Sequence, residues 1–312
     1  MKVVFAGTPE FAVPPLKALL ADSRYEVVGV YTQPDRPAGR GRVLTESPVK
    51  QVAVQNGLPV FQPEHLKAEE DQIRFEALGA DLMVVVAYGL ILPKRVIDFP
   101  RMGCINIHAS LLPRWRGAAP IQRSILAGDP ETGVTIMYIE PKLDAGPMLL
   151  KRSTPIMAED TAASLHDRLS HLGAVALMDS LPGLVDGTLT PEIQDEALVT
   201  YAAKLDKQEA PVNWSQSATS IHRQIQAFNP WPVAETTYAG KSLRIFRSEV
   251  LSTRQSEGVP GSVALNADQL DVETGEGRLR LLEVQLPGGK RITGRDFLNG
   301  QSGKKLHFGP HS

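Results

Sequence analysis

Asn106 and His108 stand two residues apart at the end of the run GCINIHA, and Asp144 follows in LDAGP. These three residue types are the parts needed for acyl transfer to an amine. A neutral imidazole accepts a proton and an imidazolium returns one near neutral pH. A carboxylate beside the ring fixes its tautomer and favours its charged form. An amide N–H stabilises an oxygen that gains negative charge in a tetrahedral intermediate. Alternation along a strand puts Asn106 and His108 on one face. A histidine at a strand end also serves as an ordinary cap or core residue, and spacing alone establishes no contact between His108 and Asp144.

The elements that must position these groups are legible as apolar runs. KVVFAG (2–7), EVVGVYT (26–32), LPVFQ (58–62), DLMVVVAYG (81–89), GCINIHA (103–109) and GVTIMYIE (133–140) read as strands. Helical stretches fall near 9–20, 47–57, 67–78, 116–127 and 160–186. This alternation predicts an α/β domain with a Rossmann-like parallel sheet covered on both faces. The unbroken apolar run LMVVVA fits a central strand. Such sheets bind ligands beyond the carboxyl ends of their strands. His108, the Asp144 loop and the segment Tyr88–Pro93 are therefore expected at one crevice. The catalytic domain is expected over 1–187 and a linker over 188–208. The region 209–312 has one short helix, then short alternating runs with glycine turns. That texture predicts a small OB-like β-barrel.

Composition removes several function classes. The only cysteine among 312 residues is Cys104, which excludes a disulfide framework and a cysteine-based zinc site. His166 and His171 are five apart in a predicted helix, which is not a metal-ligand spacing, and no metal is expected. The turn GTPEFA lacks the GxGxxG pattern of a dinucleotide site. No apolar run approaches the roughly 18 residues of a membrane span, and the N-terminus lacks a secretory apolar core, so a cytoplasmic location is expected. A net charge of −2 offers no global attraction to polyanions, so a nucleic-acid partner must meet a local basic patch. Two places qualify. The stretch 34–50 carries Arg36, Arg40, Arg42 and Lys50 against Asp35 and Glu46, with Gly39 and Gly41 making a mobile loop. In the C-terminal region, Arg244, Arg247, Lys290, Arg291, Arg295, Lys304 and Lys305 are candidates for one basic face. Trp115, between Arg114 and Arg116, fits either an exposed platform or the core.

The ordered set Asn106-Ile-His108-Ala-Ser110-Leu-Leu-Pro113, Arg116-Gly117-Ala-Ala-Pro120-Ile and Leu143-Asp144-Ala-Gly146 resembles the 10-formyltetrahydrofolate-dependent formyltransferases. GTPEFAVPPL (7–16), TQPDRPAGRGR (32–42) and the whole length are similar to the branch of that family that acts on aminoacyl-tRNA. The resemblance implies Asn106, His108 and Asp144 as the catalytic trio. It implies Ser110, Leu111, Leu112 and Pro113 in the folate site, with Leu90, Ile91 and Leu92 lining the pterin pocket. It also implies Arg36, Arg40 and Arg42 as tRNA contacts and 209–312 as a tRNA-binding OB-like domain. The implied reaction moves a formyl group from 10-formyltetrahydrofolate to the amino group of methionyl initiator tRNA, with neither a metal nor an obligate protein partner. Two residues depart from the common pattern around the aspartate. Lys142 stands where a glycine is usual and Pro147 where an acidic residue is common, while the aspartate itself is kept. A formyltransferase for a small amine, or an RNA-binding protein with an inactive catalytic domain, is the rival reading. The long C-terminal region argues against the first and the intact trio against the second.

Overall fold

The computed structural model describes residues 1–38, 41, 43–254, 258–264, 269–301 and 306–309. Arg40, Arg42, Lys304 and Lys305 lie outside the described residues. The chain runs β1 (Lys2–Gly7), α1 (Val13–Leu20), β2 (Glu26–Tyr31), β3 (Arg36–Ala38), β4 (Val43–Thr45), α2 (Pro48–Gln55), β5 (Val60–Phe61), α3 (Glu69–Glu76), β6 (Leu82–Val86), α4 (Lys94–Asp98) and β7 (Cys104–His108). It continues through β8 (Arg116–Gly117), α5 (Pro120–Ala127), β9 (Glu131–Tyr138), β10 (Met148–Pro155), α6 (Ala162–Asp186) and β11 (Tyr201–Ala202). The remainder is α7 (Ala218–Ala227), β12 (Ala234–Tyr238), β13 (Lys241–Ser252), β14 (Asp271–Glu273), β15 (Arg278–Gln285), β16 (Ile292–Thr293) and α8 (Gly294–Asn299).

Two compact units result. The first comprises Met1–Pro120, Glu131–Pro155 and His166–Ala202, and the second the rest. Local chemistry sets the element ends in the first. Pro14 and Pro15 open α1, where missing N–H groups cost nothing. Ser47 caps α2 by accepting the Lys50 N–H, with Pro48 next in line. Every residue of β6 is buried, and each large apolar side chain hidden this way contributes about 1.5–3 kcal/mol.

The sheet order is β10-β9-β7-β6-β1-β2-β5. Strands β5, β2, β1, β6 and β7 are parallel, as expected. The order reverses between β1 and β6, and this is where the carboxyl ends are laced together. The Thr8 hydroxyl and the Gln33 amide both donate to the Tyr88 carbonyl, each at 3.0 Å.

The parallel expectation fails at one edge. β9 runs antiparallel to β7, pairing His108 with Thr135 and Ile105 with Tyr138, and β10 is antiparallel to β9. All of the helix between β7 and β9, α5, except Pro120 belongs to the second unit. The loop carrying Asp144 thus leaves β9 beside the start of β7 and must run back toward His108.

Residues 188–202, expected as linker, belong to the first unit, where β11 pairs with β8. The second unit is built on a five-stranded antiparallel sheet, β12-β13-β15-β14 with β16 on β15. Its core joins Leu243, Ile245, Leu279 and Leu281 to Ile221 and Ile225 of α7, Phe297 of α8 and Phe308. Register shifts along β13 and β15 bend these strands. This agrees with a small β domain after a Rossmann-like one.

Candidate active site

The turn after β7 is held by polar groups pointing inward. The Ser110 hydroxyl donates to the Arg114 carbonyl at 2.6 Å. The Thr135 hydroxyl donates to the Ser110 carbonyl at 2.7 Å and accepts the Leu112 N–H at 3.1 Å. Leu112 packs with Met137 and Met148. Ser110 and Leu112 are therefore buried in building the turn, whereas Leu111 and Pro113 are half-buried.

Trp115 then adopts φ 67°, a left-handed conformation uncommon for a bulky side chain. Thr200 pins it. The Thr200 hydroxyl accepts the Trp115 N–H and its carbonyl accepts the Arg116 N–H, both at 2.9 Å. The Arg114 guanidinium covers the Trp115 ring, 4.4 Å from its centroid. This arrangement brings the Trp115 carbonyl to 2.8 Å from His108 Nε2. A carbonyl only accepts, so Nε2 carries a proton and Nδ1 is the nitrogen that gains or loses one.

His108 Nδ1 lies 3.7 Å from Asp144 Oδ2. That is too long for a hydrogen bond. The ring is thus oriented by the Trp115 carbonyl, with the Asp144 carboxylate beside it. Asp144 Oδ2 also accepts the Gly117 N–H at 2.9 Å. Gly117 has φ +120°, and a Cβ there would come within 2.8 Å of the Ala202 carbonyl oxygen. Asn106 is half-buried on the strand face that His108 shares, and its amide makes no hydrogen bond among the described residues. Its N–H groups are available to a reacting oxygen.

Behind the aspartate lies a network that sequence reasoning missed. The Gln194 amide N–H group donates to the carbonyls of Asp144 and Gly146, both at 2.8 Å. Fully buried Arg116 donates from Nε to Gln194 Oε1 at 2.9 Å and from its two terminal nitrogens to Glu196. Lys142 reaches the same carboxylate at 3.1 Å. Lys142 first, and then Arg116, hold the Glu196 carboxyl below its ordinary range. Arg116 and Lys142 stand in the sequence motifs, and Thr135, inside the apolar run of β9, signals only the turn that it holds. Gln194 and Thr200 sit in a stretch without periodicity.

The other predicted residues are placed as follows. Leu90 and Leu92 pack against the core containing Tyr31, Phe75 and Tyr88, while Ile91 is 82% exposed. Arg36 opens β3 and is exposed. The stretch read as a mobile loop contains an antiparallel ribbon of β3 and β4, with Val43 and Leu44 exposed. Lys50, in the first turn of α2, reaches Asp35 at 2.5 Å, and Gln62 donates to the same carboxylate at 2.7 Å. In the second unit Arg244 and Arg247 are exposed. Arg291 lies 3.8 Å from Glu283 and stacks over Phe246. Cys104, two residues before Asn106, is no nucleophile: burial pushes its thiol up to about 12.

The chain resembles known proteins over nearly its whole length. Residues 1–181 match the formyl transferase family, and 204–302 match the formyl transferase C-terminal domain. The chain is 61% identical over 308 residues to a methionyl-tRNA formyltransferase of Methylococcus capsulatus, covering 98% of this chain and 99% of that protein. It is 57% identical to the methionyl-tRNA formyltransferase of Ectopseudomonas mendocina, covering 96% and 94%. Among solved structures, an N-formyltransferase from Helicobacter canadensis, in complex with folinic acid and dTDP-3-aminofucose, shares the fold. Its TM-score is 0.65 at 18% identity, over 90% of this chain and 98% of that one. HypX from Aquifex aeolicus, in complex with tetrahydrofolic acid, gives a TM-score of 0.63 at 17% identity, over 100% and 50%. The chain belongs to the formyl transferase family and, within it, groups with the methionyl-tRNA formyltransferases.

Proposed function

We propose that this chain transfers the formyl group of 10-formyltetrahydrofolate to the amino group of methionyl initiator tRNA, giving N-formylmethionyl-tRNA for translation initiation in the cytoplasm. The carrying observation is the near-full-length likeness, through both units, to the Methylococcus capsulatus protein. The convergence of His108 and Asp144, with the Asn106 amide on the same strand face, supports it.

The reaction requires the neutral amine to attack the formyl carbon, the C–N10 bond to break, and one proton to pass from the attacking nitrogen to N10. Asn106 donates to the oxygen that becomes negative in the tetrahedral intermediate. His108 holds and returns the proton at Nδ1, because Nε2 is committed to the Trp115 carbonyl. The Asp144 carboxylate lies beside Nδ1, 3.7 Å away, on the side where that proton is held. Both substrates are held side by side, and this positioning supplies much of the rate. The half-buried Leu111 and Pro113, with Ile91, are the surfaces we assign to the folate. Ser110 and Leu112 fix the turn beneath it, and Leu90 and Leu92 anchor the segment that presents Ile91. Arg36, Arg40 and Arg42, together with the second unit, are assigned to tRNA. The reading is tested by formyl transfer from 10-formyltetrahydrofolate to methionyl initiator tRNA, run beside small primary amines. Transfer to the amines but not to the charged tRNA would refute it.

A further inference from the structure

We propose that Gln194 is a positioning residue for the reaction: its side-chain amide holds the Asp144 loop so that the carboxylate faces His108 Nδ1. The inference rests on the formyl-transfer reading above. Gln194 is 4% exposed, and its amide orientation is forced by its partners. Two carbonyls, those of Asp144 and Gly146, can only accept, and Arg116 Nε can only donate. The nitrogen of the amide must therefore face the loop and the oxygen must face the guanidinium.

The loop needs such a clamp. Asp144 sits at φ +45°, a left-handed conformation uncommon outside glycine, asparagine and aspartate. It reaches His108 from a strand running the opposite way to β7, so strand pairing does not deliver it. Gly146 lies so tightly against the end of β9 that a Cβ would overlap the Tyr138 carbonyl. Gln194 takes one carbonyl from each of these two residues. The carboxylate itself accepts the Gly117 N–H at 2.9 Å, which fixes one oxygen but not the loop backbone, and the tie between Lys142 and Glu196 joins side chains that are 60% and 61% exposed, where an ion pair contributes little. Gln194 itself falls between the two family matches, which end at 181 and resume at 204.

The competing role is structural: Gln194 would merely satisfy the buried Arg116. The substitution Gln194→Glu separates the two. It keeps, and strengthens, the acceptor for Arg116, but it cannot donate and sets a carboxylate oxygen against two carbonyls. Gln194→Met removes both functions with little change of volume. The full chain is used throughout, with thermal melting to verify folding. Steady-state kcat and KM for 10-formyltetrahydrofolate are measured with methionyl initiator tRNA. In parallel, the His108 imidazole resonances are followed by 15N NMR, assigned with a His108→Asn sample.

Displacement of a reacting group by about 1 Å costs on the order of 100-fold. Gln194→Glu is expected to lower kcat roughly 10- to 100-fold, to leave KM for the folate within about threefold, and to move the His108 Nδ1 resonance. Lys142→Ala should stay within about twofold of wild type. A Gln194→Glu protein that keeps kcat within threefold and leaves the His108 signal unmoved overturns the proposal. If Gln194→Glu fails to fold, Gln194→Met is read on the same two signals. If the wild-type protein transfers no formyl group, the functional reading fails. The His108 resonance then decides the positioning role alone, supporting it if moved and refuting it if not.

Discussion

Replacing Asn106 by alanine should separate catalysis from stability more cleanly than any other change in this protein. The side chain lies half-buried on the face of β7 that carries His108, and its amide makes no hydrogen bond among the described residues. Truncation therefore breaks no satisfied bond and leaves no orphaned partner, the two usual sources of large destabilisation at polar sites. The β7 backbone pairing with β6 and β9 is untouched. The melting temperature should stay within a few degrees of wild type, since surface-like changes usually cost under about 0.5 kcal/mol. Catalysis should behave differently. A single donor to a developing oxyanion is worth about 10²–10³-fold, or about 2.7–4.1 kcal/mol of barrier. Single-turnover formylation, with enzyme and folate saturating over charged tRNA, reads the chemical step directly. The expected result is a rate lowered about 10²–10³-fold with folate affinity unchanged. A rate within threefold of wild type would show that the amide does not meet the reacting oxygen. A large fall in melting temperature would show instead that Asn106 serves the fold.

Three other changes test neighbouring parts. Gly117→Ala meets both an unfavourable φ and the Ala202 carbonyl at 2.8 Å, so it should cost roughly 1–3 kcal/mol, seen as a melting temperature lower by roughly 2–12 °C. It should also reduce activity by shifting the N–H that Asp144 accepts, and a protein of unaltered stability would contradict the close packing of β8 on β11. In the second unit, burial holds His222 below the ordinary imidazole range, with Ser248 at 2.9 Å, the Ala158 backbone, Arg223 and Glu249 around it. The unfolded chain then binds that proton more readily, so stability is complete above about pH 6.5 and declines as pH falls below it. Melting at pH 7.5 and 5.5 should show a smaller acid loss in His222→Gln than in wild type, and equal losses would exclude the effect. Arg40→Ala should lower kcat/KM for initiator tRNA by about 1–3 kcal/mol with folate affinity unchanged, and equal weakening of folate and tRNA would remove Arg40 from tRNA recognition.

The elements of the first unit were readable because apolar runs alternating with helical spacing leave few other solutions. The direction of β9 was not, since a strand buried on both faces has the same pattern read either way. His108 and Asn106 were legible from period-two spacing, and Asp144 from the family resemblance. Their contact was not, because it depends on a loop returning along the sheet. Arg36–Ala38 and Val43–Thr45 were read as loop because Gly39 and Gly41 separate two very short runs. The stretch 188–202 looked like a connector for a definite reason. Its order comes from individual hydrogen bonds, through Gln194, Glu196 and Thr200, and such bonds leave no apolar periodicity in a sequence.

That stretch also changes where the catalytic module can be divided. A boundary drawn from helix and strand content falls at the end of α6, near Asp186 and Gly187. A fragment ending there would retain every residue named for the chemistry, yet lose Gln194 behind Asp144, Thr200 beneath Trp115 and the β11 partner of Gly117. A fragment that keeps these ties must therefore run at least to Ala202. Any gene fusion, truncation or domain exchange in this family is constrained accordingly. A junction fifteen or so residues earlier is expected to yield a protein with its reactive side chains present and out of place.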